Sequence, residues 1–329
     1  MKILIRTHLE SSPHNPPTAE DILQAAERIR PYVHHTPIIT SATLNRITGA
    51  ELFFKCENFQ KVGAFKARGA ANAIFSLEES QTRLGVSTHS SGNHAQALSW
   101  AASLRSLPAY IVMPRNSSPV KINAVREYGG IITFCEPTLE AREKTLKNVV
   151  AATGSVEIHP YNNLHIIAGQ ATAASELFED IEDLDLLFAP VGGGGLLSGT
   201  ALASNYFSPK TKVIAAEPEQ ANDAWLSFTQ KKFVPSRNPN TIADGLRTSL
   251  GSFTFPIILE YVENIVTVSE EEIVKAMRLI WERMKILVET SSAVPVAALL
   301  SDRINVNSKK VGVILSGGNV DLDHLPWIK

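Results

Sequence analysis

Between Gly85 and Pro160 short apolar runs alternate with longer stretches in which apolar positions recur every three or four residues. Val86–His89, Ala109–Met113, Ile131–Cys135 and Val156–His159 read as strands, and Asn93–Ser103, Val120–Tyr128 and Leu139–Ala152 as helices. Such alternation builds a compact parallel α/β unit. A second series begins near Gly169 with a helix to Phe178 and continues through strands at Leu186–Pro190, Lys212–Ala216, Asn264–Val268 and Val311–Leu315, with helices at Glu270–Lys285 and Ala293–Leu300. Trp281 and Met284 fall at helical spacing and read as core. Near the start, the Pro- and Ser-rich Ser11–Pro17 gives way to Thr18-Ala19-Glu20-Asp21, which opens an apolar-periodic run through Ile29 and predicts a capped helix. The first ten or so residues read as an appendage. The expected architecture is two parallel α/β lobes: a small one over 77–157, and a large one from 1–76 with 158–329. Ligands of open α/β sheets gather at the carboxyl ends of the strands, here in the crevice between the lobes.

Composition narrows the possible partners. The 329 residues exceed the usual ~100–200 of one domain, in keeping with two lobes. With 31 Lys and Arg against 33 Asp and Glu, no basic field points to nucleic acid or an anionic membrane, so the expected partner is a small molecule. Cys56 and Cys135 stand far apart, which excludes a disulfide framework or a CxxC site. The N-terminal MKILIRTHLE is too short an apolar patch for a signal core or a membrane span, and a cytoplasmic protein is expected.

Four segments carry chemistry. Lys66 stands between Phe65 and Ala67, and an amine among apolar neighbours loses hydration, which leaves more free nucleophile near neutral pH, as a Schiff-base lysine needs. Ser90-Ser91-Gly92-Asn93-His94 falls at a strand-to-helix turn, where backbone N–H groups can hold a carboxylate; Ser and Asn are also ordinary helix caps. Gly192-Gly193-Gly194-Gly195-Leu196 joins a strand to a helix and has the geometry of a phosphate cradle, yet it lacks the GxxxxGK[ST] pattern of a nucleotide triphosphate loop. Leu315-Ser316-Gly317-Gly318-Asn319 follows the last strand. His34, His35, His159 and His165 lie in no metal-binding spacing and receive no role.

Taken together, from about Thr18 to Asp321 and in the same order, these motifs closely resemble the fold-type II pyridoxal-phosphate enzymes (the tryptophan synthase β-like fold), and within them the serine racemase and serine/threonine dehydratase group. Ile280–Lys285 is especially similar to serine racemase. The resemblance implies pyridoxal 5'-phosphate bound covalently through Lys66, with Phe65 packed by the ring, Gly192 to Gly195 and Leu196 on the phosphate, Asn93 on the ring hydroxyl and Ser316 on the ring nitrogen. A neutral serine supplies no negative charge to that nitrogen, which moderates the electron sink and favours β-elimination. Ser90, Ser91, Asn93 and His94 match the loop that grips the substrate carboxylate, and Ser91 matches the racemase residue facing Lys66 across the substrate. Dehydratases devoted to threonine biosynthesis usually have alanine at the Ser91 position and a C-terminal regulatory domain, whereas eight residues follow Asp321 here.

A structural or activating Mg²⁺ (or Ca²⁺ or Mn²⁺) site at Glu217, Ala221 and Asp223 also follows from the resemblance, two carboxylates and a carbonyl being hard oxygen ligands. So do a homodimer and, as an open question, a nucleotide activator. Thr290 stands where the family often has proline, giving ETSSA after Leu287-Val288, and Arg247-Thr248-Ser249 varies at a loop facing the substrate, with Thr248 a candidate contact. Arg142 reads either as an exposed helical arginine or as a partner for a second substrate carboxylate, which would make 3-hydroxyaspartate a substrate beside serine and threonine. The expected activity is an ammonia-lyase, a racemase or both. A β-replacement synthase of the same fold, or a non-catalytic cofactor carrier, are the alternatives.

Overall fold

The computed structural model describes residues 15–328, so the expected appendage lies outside the described residues. In chain order the elements are α1 (Ala19–Ile29), β1 (Ile38–Ile39), α2 (Ala42–Thr48), β2 (Glu51–Cys56), α3 (Lys66–Ser76), α4 (Glu79–Thr82), β3 (Val86–His89), α5 (Asn93–Ser103), β4 (Ala109–Pro114), α6 (Pro119–Glu127), β5 (Ile131–Cys135), α7 (Leu139–Thr153) and β6 (Val156–Glu157). Then follow α8 (Leu164–Asp180), β7 (Leu186–Pro190), α9 (Gly195–Phe207), β8 (Lys212–Pro218), α10 (Asp223–Gln230), α11 (Thr254–Tyr261), β9 (Asn264–Val268), α12 (Glu270–Met284), α13 (Thr290–Leu300) and β10 (Lys310–Leu315).

A six-stranded sheet runs β1-β2-β10-β7-β8-β9, parallel except for β1, and a four-stranded parallel sheet runs β5-β4-β3-β6. In the larger sheet, Leu186 and Phe188 of β7 enter one buried cluster with α12 and α13, while Leu187 and Ala189 enter another with α8 and α9. Period-two alternation thus buries both faces, which is why the strand reads as a continuous apolar run. Trp281 and Met284 pack against the first cluster, as expected of core residues. The smaller sheet is covered by α5 on one side, with Trp100 and Leu98 in its core, and by α7 on the other.

Thr18 caps α1 as expected: its hydroxyl accepts from the Asp21 N–H, and the Asp21 carboxylate accepts from the Thr18 N–H at 2.8 Å. Three expectations need correction. The strand at Val156 ends at Glu157 rather than His159, and the helix expected from Gly169 begins at Leu164, capped by Asn163. The six-stranded sheet also includes β2, which was not expected. Its Lys55 breaks the apolar run, yet that side chain is fully buried and paired with Glu176 at 2.7 Å and with the Thr36 carbonyl at 2.8 Å.

Candidate active site

Because the strands are parallel, β3, β6, β7 and β10 deliver their following loops to the same side of their sheets. Lys66 opens α3 and is tied to the end of β10, since the Phe65 N–H donates to the Ser316 carbonyl at 3.0 Å. Two residues on, Arg68 anchors the helix. It is fully buried, and its guanidinium donates to both oxygens of Glu57 (2.7 and 2.8 Å) and both of Glu176 (2.6 and 2.8 Å). A buried pair so fully satisfied is costly to break, by about 3–5 kcal/mol when one partner is removed.

The Lys66 amine donates to the Pro160 carbonyl at 2.7 Å and stands 5.1 Å from the centre of the Phe65 ring. Part of the residue's surface stays accessible, but the amine end is buried, and this lowers its pKa from 10.5 to about 8 against the opposing charge of Glu289. Two imidazoles, His94 and His159, lie near it, and a third, His89, stands 6.1 Å from His159. His94 on α5 donates through Nε2 to the Ile158 carbonyl at 3.2 Å, and burial with the nearby Lys66 charge holds it well below the usual histidine range. Burial likewise lowers His89 and His159 to about 4, helped by Arg142 and by His89 respectively. All three are neutral at physiological pH. His159, which received no role from the sequence, accepts at Nδ1 from the N–H groups of Tyr161 (3.3 Å) and Asn162 (2.9 Å) and meets the Tyr161 ring edge-on at 4.5 Å.

The glycine segment after β7 ends on Gly194 at φ +89°, where only glycine is at ease, and α9 begins at Gly195. A Cβ on Gly193 would fall inside the Tyr161 ring, and one on Gly194 would stand 2.8 Å from the Thr254 side chain. No backbone N–H from Gly192 to Gly195 donates to another carbonyl in the turns of the described residues, so these donors at a helix N-terminus are free for an anion. Tyr161, also missed from the sequence, packs its ring against this cradle, with the Thr248 side chain near its hydroxyl. Its signal was available: HPYNN follows the end of a parallel strand.

Asn93, the first residue of α5, donates from Nδ2 to Glu289 Oε1 at 2.8 Å, while its Oδ1 accepts from Asn319 Nδ2 at 3.0 Å. Glu289 is buried and its pKa rises to about 7, with the Lys121 charge and the Asn93 bond acting against burial. Its Oε2 has no partner. Lys121 on α6 forms an ion pair with Asp244, whose charge, with that of Glu289, outweighs burial and raises the lysine's pKa. Ser118 reaches Asp321 at 3.3 Å. Ser90 Oγ accepts from the Gly92 N–H at 3.3 Å, and Ser91 is half-exposed beside it. Ser316 is buried at the end of β10 with its hydroxyl 3.1 Å from that of Ser292.

A cradle of free N–H groups, a buried amine of lowered pKa and two polar side chains at strand ends fit pyridoxal phosphate, and the family model for pyridoxal-phosphate dependent enzymes matches residues 29–317. The chain belongs to that family. The enzyme is 53% identical over 311 residues to the β-hydroxyaspartate dehydratase of Paracoccus denitrificans, covering 94% of this chain and 99% of that one. It is 47% identical over 307 residues to the L-threo-3-hydroxyaspartate ammonia-lyase of Saccharomyces cerevisiae, covering 93% and 94%. Against the crystal structure of serine racemase from Dictyostelium discoideum the TM-score is 0.89 at 50% identity, covering 93% of this chain and 99% of that one. The enzyme therefore has the expected α/β fold of the serine racemase and dehydratase group.

Two further candidate sets lie away from Lys66 or at its margin. Arg142 on α7 is partly buried rather than an exposed helical arginine; burial lowers its pKa, it lies near enough to lower that of His89, and its Nε is buried without a partner. At the end of β8, the Glu217 carboxylate accepts from the N–H groups of Ala224 (2.8 Å) and Trp225 (2.7 Å). Neither oxygen of Asp223 makes a hydrogen bond, though the Ser236 hydroxyl is close enough to favour its charged form. Burial, then the charge of Asp223, pushes Glu217 well above the carboxylate range, and burial brings Asp223 to about 7. Two buried carboxylates, with both Asp223 oxygens unpartnered, are hard oxygen donors that fit a divalent ion. Among the described residues no helix is long and apolar enough to cross a membrane.

Proposed function

We propose that the enzyme is an ammonia-lyase and racemase of 3-hydroxy amino acids, and that it accepts 3-hydroxyaspartate beside serine and threonine. The observation that carries this reading is the buried Lys66 amine, held on the Pro160 carbonyl with His94, His159 and Glu289 near it. Lowering its pKa from 10.5 to about 8 raises the free-amine fraction at neutral pH by about 300-fold.

Bound pyridoxal phosphate supplies the electron sink that makes the α-proton of an amino acid acidic. Gly192 to Leu196 would hold its phosphate, Asn93 its ring hydroxyl and Ser316 its ring nitrogen, with Phe65 against the ring. Ser90, Ser91, Asn93 and His94 orient the substrate α-carboxylate at the N-terminus of α5. Lys66 takes the α-proton on one face. Ser91 returns a proton from the other face to invert the centre, whereas loss of the β-hydroxyl leads to a 2-oxo acid and ammonia. Thr248, close to the Tyr161 hydroxyl, would meet the substrate from its own loop. The unpartnered Nε of Arg142 favours a substrate with a second carboxylate. Glu217, Asp223 and the Ala221 carbonyl take Mg²⁺ or a similar hard cation in a structural role.

The test supplies both enantiomers of serine, threonine and 3-hydroxyaspartate to the holoenzyme and measures 2-oxo acid and inverted amino acid. Arg142→Ala is expected to lower kcat/KM for 3-hydroxyaspartate at least about tenfold, the equivalent of one charge-assisted hydrogen bond, and to leave serine within about twofold. Ser91→Ala is expected to suppress racemisation far more than dehydration of the L-isomer. Equal losses on serine and 3-hydroxyaspartate would remove Arg142 from the site, and no turnover of any of the six compounds would sink the whole reading.

A further inference from the structure

Ser292, in α13, is fully buried two residues after Thr290. Its hydroxyl oxygen stands 2.6 Å from the Gly317 carbonyl oxygen and 2.7 Å from the Gly317 nitrogen. A carbonyl only accepts, and two oxygens at that separation repel unless a proton lies between them, so the single Ser292 proton is committed to Gly317. The Gly317 N–H occupies one Ser292 lone pair. The other lone pair is all that remains for Ser316, 3.1 Å away, so in this contact the Ser316 hydroxyl is the donor. With its proton directed at Ser292, Ser316 has only lone pairs to offer elsewhere.

We propose that Ser292 is a positioning residue that fixes the direction of the Ser316 hydroxyl, so that Ser316 meets the cofactor's ring nitrogen as an acceptor and favours its protonated N–H form. The inference rests on the reading of Ser316 as that nitrogen's partner. For Ser316 to donate to an unprotonated nitrogen, its proton must leave Ser292, and a fully buried lone pair is then left without a partner. A neutral serine still supplies no charge, but its hydrogen bond now has a direction. A protonated ring nitrogen withdraws electrons more strongly, so Ser292 tilts the outcome towards proton exchange at the α-carbon and away from β-elimination.

The holoenzyme carrying isotopically labelled pyridoxal phosphate reports the protonation of the ring nitrogen through its NMR shift. Ser292→Ala is expected to lower the ratio of protonated to neutral nitrogen by about fivefold, the equilibrium counterpart of one net hydrogen bond of about 1 kcal/mol. The ratio of racemisation to elimination should fall with it. Ser292→Thr keeps the hydroxyl and should hold the wild-type shift. Glu289, whose carboxylate lies against Gly317, and Lys66, Lys121 and Asp244 around it are unchanged in each variant, so the difference reports Ser292. An unchanged shift in Ser292→Ala, or an equal drop in Ser292→Thr, overturns the inference while Ser316→Ala still moves the signal. A silent Ser316→Ala overturns the underlying assignment of Ser316 and the inference with it.

Discussion

Two opposing influences meet at the Lys66 amine: burial pulls its pKa down, and the Glu289 charge pushes it back up. Burial wins, so the apo protein should form its covalent adduct with pyridoxal phosphate at a rate that rises with pH to a half-maximum near 8. Stopped-flow absorbance checks this, with Lys66→Ala forming no adduct. Glu289→Gln should move the midpoint downwards, because it removes the charge that favours the ammonium form; a wild-type midpoint at or above 10 would contradict the burial argument. At this scale the sequence was informative where the local neighbours create the chemistry, as Phe65 and Ala67 do for Lys66. It was silent where a distant partner creates it. Glu289 matters through Asn93 and Lys121, and His159 through the turn it caps, and no spacing along the chain announces either.

The elements show the same division. β3, β5, β7 and β9 fall where they are predicted; the clearest is β7, because a strand buried on both faces is apolar throughout. β2 escaped because the charge of Lys55 is compensated by Glu176, more than a hundred residues away. α3 escaped for the opposite reason. Ala67 to Ile74 are all buried, so the helix has no polar face and hence no amphipathic period to read. The turn between β7 and α9 was legible from its four glycines, and its geometry gives a direct test. Gly194→Ala places a Cβ at φ +89° and 2.8 Å from the Thr254 side chain, whose hydroxyl donates to the Gly193 carbonyl. The strain, of order 1–3 kcal/mol, falls on the cradle itself. Affinity for pyridoxal phosphate, followed by fluorescence titration, should drop at least about tenfold with the circular dichroism spectrum retained.

Across the whole molecule, buried charge couples stability to pH. Asp223 carries a pKa near 7 in the folded state against 3.8 as its ordinary value, so between these limits the folded chain binds more protons than the unfolded one. Stability from this group is therefore present at low pH and lost as pH rises through about 7. The divalent cation proposed for Glu217 and Asp223 would offset that loss. The gain in Tm on replacing a chelator with Mg²⁺ should accordingly be larger at pH 8 than at pH 5, by scanning calorimetry, and Asp223→Asn should diminish it. A gain independent of pH would place the metal elsewhere.

Contacts such as Asn93 with Glu289 and Asn319, Lys121 with Asp244 and Ser118 with Asp321 join residues carried by the smaller sheet to residues carried by the larger. The consequence is one of mutual dependence. Asn93 rides on the smaller sheet and both of its partners on the larger, so drawing the sheets apart would take away the side chain proposed to steady the ring. Neither half holds a finished pocket by itself.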